Sequence, residues 1–181
     1  MDQTTTNSRY DAVARALHWC SAALVVIVFA IGLAIDVPPK PWYPLWLNTH
    51  VLIGLTIFAL ALARLGWRAG HPAPPPVQGT SPRMASVVRL GHAALYAAML
   101  VVPLIGLAPL FTRGRGIDLG LFAIASPMAA DRPLAHTTTE IHMYAAYALI
   151  ALASGHVIAA LWHHFVKNDD VLLRMTPPRN P

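Results

Sequence analysis

Charge is scarce in this sequence, and so is cysteine. Charged residues fill 12% of the 181 positions, against about 25% in soluble domains, which argues against an ordinary water-soluble globule. The single cysteine, Cys20, excludes an intrachain disulfide and any cysteine-rich metal or cluster site. No run of Lys and Arg with interleaved aromatics is present, so no nucleic-acid partner is expected. Serine-nucleophile motifs and glycine-rich phosphate loops are missing as well, and the Gly-Arg-Gly at 114–116 has no strand before it.

What the chain has instead is apolar length. Hydrophobic residues make up 56% of it, and four windows, 16–35, 47–66, 90–110 and 141–162, are each long enough for a hydrocarbon core of about 30 Å. The expectation is an all-α integral membrane four-helix bundle, surrounded by membrane lipid, forming one domain over 1–181. Its helices are expected over about 9–35, 46–67, 88–110 and 138–166. A proline-rich linker over 71–82 and a longer loop over 111–136 separate the later spans.

With the amino terminus inside, the inner segments carry Arg9, Arg15, Arg64, Arg68, Arg83, Arg89, Lys167, Arg174 and Arg179, and the outer loops only Lys40, Arg113, Arg115 and Arg132. This bias follows the positive-inside rule. It predicts cytoplasmic termini, a cytoplasmic linker and an outer 111–136 loop. The first apolar run is too long for a signal-peptide core and lacks a small-x-small cleavage site after it. All five tryptophans, Trp19, Trp42, Trp46, Trp67 and Trp162, fall near span ends, as an interfacial belt requires.

Local signals refine the spans. Ser8 with Asp11 and Thr137 with Glu140 have capping-box spacing, which predicts helix starts near Arg9 and just after Thr137. Pro103 and Pro109 are expected to kink or end the third helix. The stretch IDLGLFAIAS is apolar but too short to span, which suits an interfacial or covering role.

The histidines carry the chemistry. His142, His156 and His163 recur at spacings of fourteen and seven residues, within about 40° of one direction on a helix, fourteen residues spanning about 21 Å. Ionisable groups in a span are rare unless they face the bundle interior and act there. In the expected topology His18 and His156 share the cytoplasmic level, and His50 and His142 the periplasmic level. Two facing imidazoles supply both axial nitrogens of a haem iron, so two level pairs are far more specific than one buried histidine.

The remaining positions stay open between readings. Arg64, fourteen residues after His50, either pairs with a haem propionate or snorkels to the cytoplasmic surface. Gly32 and Gly54 are positions where a missing side chain lets a porphyrin plane approach. His92 lies near the depth of His18 and His156; it replaces one of them, supports them or contacts a quinone, or is purely structural. His163 and His164 point about 100° apart around the helix and make a poor metal pair. His71 and His136 read as exposed loop residues.

The chain resembles the bacterial cytochrome b561 family, the di-haem four-helix cytochromes of the superoxide oxidase type. The resemblance rests on ALHW at 16–19, NTHVLIGL at 48–55, ARLGWR at 63–68, RLGH at 89–92, PLIGL at 103–107, IH at 141–142, GHVIAALWHH at 155–164 and KNDDVLLRM at 167–175. It implies two b-type haems, one on His18 and His156 and the other on His50 and His142. It further implies the inner membrane of a bacterium, with the 111–136 loop periplasmic, superoxide oxidation on the periplasmic side and ubiquinone reduction near the cytoplasmic haem. Arg113 or Arg115 is placed to attract superoxide, unless both are merely solvated. His163, then His92, is the expected quinone contact. RGRGID at 113–118 departs from the family pattern. Two other readings use the same histidines: an electron-carrying subunit that exchanges electrons with a periplasmic redox protein, and a histidine-lined proton or metal transporter.

Overall fold

The computed structural model describes residues 9–77, 79–118 and 123–177. Four helices account for most of them: α1 (Ala12–Leu33), α2 (Tyr43–Gly70), α3 (Pro82–Thr112) and α4 (Arg132–Trp162). Each is long and apolar enough to cross a membrane. Two short strands, β1 (Ile117–Asp118) and β2 (Ala123–Ile124), pair antiparallel in the connection before α4. This small hairpin occupies part of the apolar stretch that is too short to span.

The helix starts differ from the capping-box expectation for one physical reason. A free carboxylate is a strong acceptor for first-turn N–H groups, and the aspartates take that role here. Asp11 is the N-cap of α1, accepting from Ala14 N–H, so the helix starts at Ala12 and not at Arg9; Ser8 lies outside the described residues. Asp131 caps α4 by accepting from Leu134 N–H at 3.0 Å, six residues before Thr137. Thr137 is therefore inside the helix, its hydroxyl donating to the Pro133 carbonyl, and His136 is an exposed helical residue and not a loop residue. α3 starts at Pro82 behind the Ser81 cap. It runs through Pro103 and Pro109 to Thr112, so neither proline ends it. Neighbouring helices and side chains can resupply the freed carbonyls of membrane helices.

Successive helices run antiparallel. Asp11, at the start of α1, accepts from the Trp67 indole near the end of α2, and Thr112, at the end of α3, bonds Thr138, early in α4, at 3.1 Å. The core between them holds Val25, Ile57, Ala61, Met99, Val102 and Leu149. Close backbone approaches link α1 to α2, α2 to α3 and α3 to α4, whereas α4 stands off from α1 and α2. Large apolar side chains such as Val26, Leu90 and Ile158 are mostly exposed on the outside of the bundle, as a lipid-facing surface requires.

Both described chain ends meet at one end of the bundle. After α4 a π-helical turn (His163–Lys167) ends at Asn168 in the left-handed region (φ 53°), and the tail folds back. Tyr10 N–H donates to the Arg174 carbonyl at 3.1 Å, Trp19 Nε1 to the Met175 carbonyl at 2.7 Å, and Arg174 to the Pro75 carbonyl at 2.6 Å. The opposite end carries the hairpin.

Asp11 thus joins two helices and caps one of them. Asp11→Ala is expected to cost about 1–2 kcal/mol, the range of a lost N-cap, read as a lower Tm of the solubilised protein. The Ala14 N–H holds the Asp11 carboxyl below its ordinary pKa against an opposing effect of burial, with the Trp67 indole adding to the lowering. A depressed folded pKa makes this stabilisation complete above the unfolded carboxylate value, about 3.9, and lost as pH falls through the folded one. The Tm gap between wild type and variant is therefore expected to close in acid.

Candidate functional site

Six histidines that the sequence singles out lie on the helices and the turn after them, and four of them fall into two facing pairs. At the end where the termini meet, His18 of α1 faces His156 of α4, ring centroids 6.2 Å apart and planes at 72°. At the hairpin end, His50 of α2 faces His142 of α4 at 6.0 Å and 88°. The fourteen-residue spacing on α4 thus serves two different ends of the bundle, across the seam where α4 stands off from α1 and α2.

The first pair has company. His92 of α3 lies 5.3 Å from His156. Its Nδ1 lies 2.8 Å from the Val88 carbonyl, an acceptor, so the proton of the neutral ring belongs on Nδ1 and Nε2 is left with its lone pair. Arg64 of α2 is within electrostatic reach of His18, His92 and His156, with its guanidinium 5.3 Å above the Tyr96 ring. This fixed cation beside the pair is suited to a bound anionic group.

The second pair is set by glycines. A Cβ on Gly32 of α1 would lie 3.0 Å from His50 Cε1, and one on Gly106 of α3 only 2.8 Å from His142 Cε1. Gly32 therefore makes room for an imidazole, where the sequence suggests room for a porphyrin. Gly54 has open space around it. Gly106, within the PLIGL motif, has no counterpart in the spacing argument, because its partner is on the next helix.

The residues fit a bis-imidazole iron. Metal–nitrogen distances of about 2.0–2.1 Å on each side, plus the ring radii, put centroids roughly 6 Å apart, as observed in both pairs. The His50 and His142 rings have the Val28 and Val102 backbone within hydrogen-bonding reach, whereas Nδ1 of His18 is buried without a partner. Such orphaned buried ring atoms are rare, and where they occur a functional role is one explanation. Among the described residues no group of three or more His, Cys, Asp or Glu could hold a bare metal ion, whereas a haem needs only two protein ligands.

The other predicted residues lie apart from the pairs. His163 falls in the π turn, where its Nδ1 meets Asp169 Oδ2 at 2.5 Å, a partner that the helical periodicity could not reveal because it lies beyond the turn. Burial raises the Asp169 pKa, but bonds from His163 and from Val171 N–H outweigh it and hold the carboxyl below its ordinary value. Arg113 is exposed and is bound to the end of its helix, donating to the Pro109 carbonyl and to Thr139 Oγ1 at 2.9 Å. Arg115 instead lies over the Tyr43 ring at 5.3 Å. His71 is exposed beyond α2 and stacks on Trp67, centroids 4.0 Å apart.

Residues 9–178 match the family model for prokaryotic cytochrome b561. The chain is 31% identical to cytochrome b561 homolog 2 of Escherichia coli (strain K12) over 97% of this chain and 95% of that protein. It is 29% identical to a probable superoxide oxidase of Yersinia pestis over 96% and 98%, and 30% identical to a cytochrome b562 of Cereibacter sphaeroides over 97% and 99%. With four membrane-crossing helices and facing imidazole pairs, the chain belongs to the prokaryotic cytochrome b561 family, as a multi-pass inner-membrane electron-transfer protein that binds b-type haem.

Proposed function

We propose that the protein is a di-haem superoxide:quinone oxidoreductase. The carrying observation is the presence of two histidine pairs with the same ring spacing, 6.2 and 6.0 Å, at opposite ends of one membrane bundle. The positive-inside bias makes the end with the termini cytoplasmic. In this reading His18 and His156 hold the inner haem, and His50 and His142 the outer one. A haem held by such a pair would supply a reversible one-electron couple. The probable superoxide oxidase among the relatives supports superoxide as donor.

The overall reaction balances as two superoxide anions giving two O2 and two electrons, while one quinone takes those electrons and two protons to become a quinol. Arg115 and Arg113 raise the local concentration of the anion at the outer surface. Arg64 offers its guanidinium to a propionate of the inner haem, although it already lies over Tyr96. At the cytoplasmic exit Asp169 holds the His163 Nδ1 proton, which leaves the Nε2 lone pair to take a proton from water and hand it to a quinone oxygen as the quinone is reduced. Ubiquinone is the proposed acceptor, and His92 is the second candidate contact, its Nε2 lone pair placed to accept from a quinol hydroxyl.

Three outcomes are expected. Pulsed superoxide is consumed by the purified protein with ubiquinone faster than by spontaneous dismutation, one quinol appearing per two superoxide ions. A haem spectrum that stays oxidised when superoxide is pulsed without quinone rejects the reading; electron exchange with a co-purified periplasmic protein would then favour the carrier role. His142→Ala is expected to cut the haem-to-protein ratio from two to one. Gly106→Val is expected to do the same, because its side chain occupies the place of the His142 ring, whereas Gly54→Ala, in open space, leaves the haem ratio near two.

A further inference from the structure

The hairpin end holds a cavity of about 290 Å³ lined by Pro44, Leu47, Asn48, Val51, Leu110, Arg115, Gly116, Ile117 and Asp118. The first wall is one face of α2, since 44, 47, 48 and 51 recur at helical spacing. His50 lies roughly 110° further around the same helix. Leu110 and Ile117 make a buried apolar floor, and Pro44, Arg115 and Asp118 an exposed rim. The cavity is therefore apolar at depth and polar at its mouth, at the same end of the bundle as His50 and His142.

Arg115 is held at that rim by its neighbours. Gly114 turns the chain off α3 with φ 67°, a conformation that favours glycine. A Cβ on Gly116 would lie 2.0 Å from the Ile124 carbonyl oxygen of the paired strand, so only glycine fits. Arg115 N–H donates to the Leu110 carbonyl at 2.9 Å, and its guanidinium lies over Tyr43. The RGRGID segment that departs from the family pattern is thus the part of this chain that shapes the cavity.

Size selects the ligand. One water's share of liquid volume is about 30 Å³, so the cavity is roughly ten times too large for a diatomic anion. It sits at the lower bound of organic-ligand pockets, about 300 Å³, which excludes nucleotides and peptides. Its chemistry is an apolar slot with the Arg115 guanidinium and the Asn48 amide as N–H donors. This suits a flat ring with oxygen acceptors at its edge. We propose that the cavity binds one oxygenated six-membered ring of the quinone class, as a second ligand site at the end of the bundle opposite to the proposed quinone-reducing end.

The test is photolabelling of the haem-loaded, detergent-solubilised protein with an azido-benzoquinone, followed by peptide mapping. The expected result is label on residues 43–51 and 110–118 that is displaced by 2,3-dimethoxy-5-methyl-1,4-benzoquinone or by its decyl derivative. Displacement by the decyl form alone identifies the membrane pool as the source, and displacement by the tailless ring identifies a soluble ligand; displacement by neither overturns the proposal. Arg115→Gln, at an exposed position, is expected to raise the displacing concentration about ten-fold, the equivalent of a lost charged hydrogen bond. Leu47→Trp, which fills the slot, is expected to abolish the label while the haem spectrum reports an intact bundle. Label confined to other segments, or unaffected by both substitutions, also overturns the proposal. The quinone-reduction reading is tested separately: quinol formation that is unchanged in His163→Ala rejects the role of that histidine and leaves the labelling result untouched.

Discussion

An imidazole inside a membrane has to be given a partner, because an unsatisfied polar group in hydrocarbon costs several kcal/mol. This constraint shapes the bundle. The helices approach one another in chain order, yet α4 keeps its distance from α1 and α2, and the two facing pairs of rings lie across that seam. The apolar core of Val25, Ile57, Ala61, Met99, Val102 and Leu149 holds the ends apart. Tight packing along α3 and α4 and looseness along α4 and α1 are two sides of the same arrangement.

The ends are built differently. At the end where the termini meet, charge and hydrogen bonds dominate: Arg64 lies near three histidines, His92 is tethered to a carbonyl, and the tail is clamped through Arg174, Met175 and Asp169. At the hairpin end the ring positions are set by shape. Gly32 and Gly106 give each imidazole its clearance, and the glycines beside Arg115 fix where a cation meets the outer surface. An electrostatically crowded end suits proton handling, and a sterically defined end with a polar rim suits selection of what approaches it.

Much of this was legible in the residues. Hydropathy located four spans, and the fourteen-residue recurrence on α4 matched His142 and His156 to partners by depth. Helix boundaries were less legible, because Ser8 with Asp11 and Thr137 with Glu140 share the capping-box spacing, while the caps were decided by carboxylates at Asp11 and Asp131. Pro103 and Pro109 left open whether the third helix kinks or ends, and it ends at neither, since packed neighbours in a membrane bundle can resupply the freed groups. The contacts of Gly106 with His142 and of Asp169 with His163 were invisible, as each depends on how separate segments pack and not on periodicity within one.

The position of His142 and His156 on a single helix has a consequence for assembly. α1 and α2, the first to leave the ribosome, bring one ring to each end of the bundle and leave both pairs half-made. α4 arrives last and carries the missing ring of each pair, fourteen residues apart on one rigid rod. One docking event thus completes two sites, and a register error of a single residue in that helix would misalign both at once.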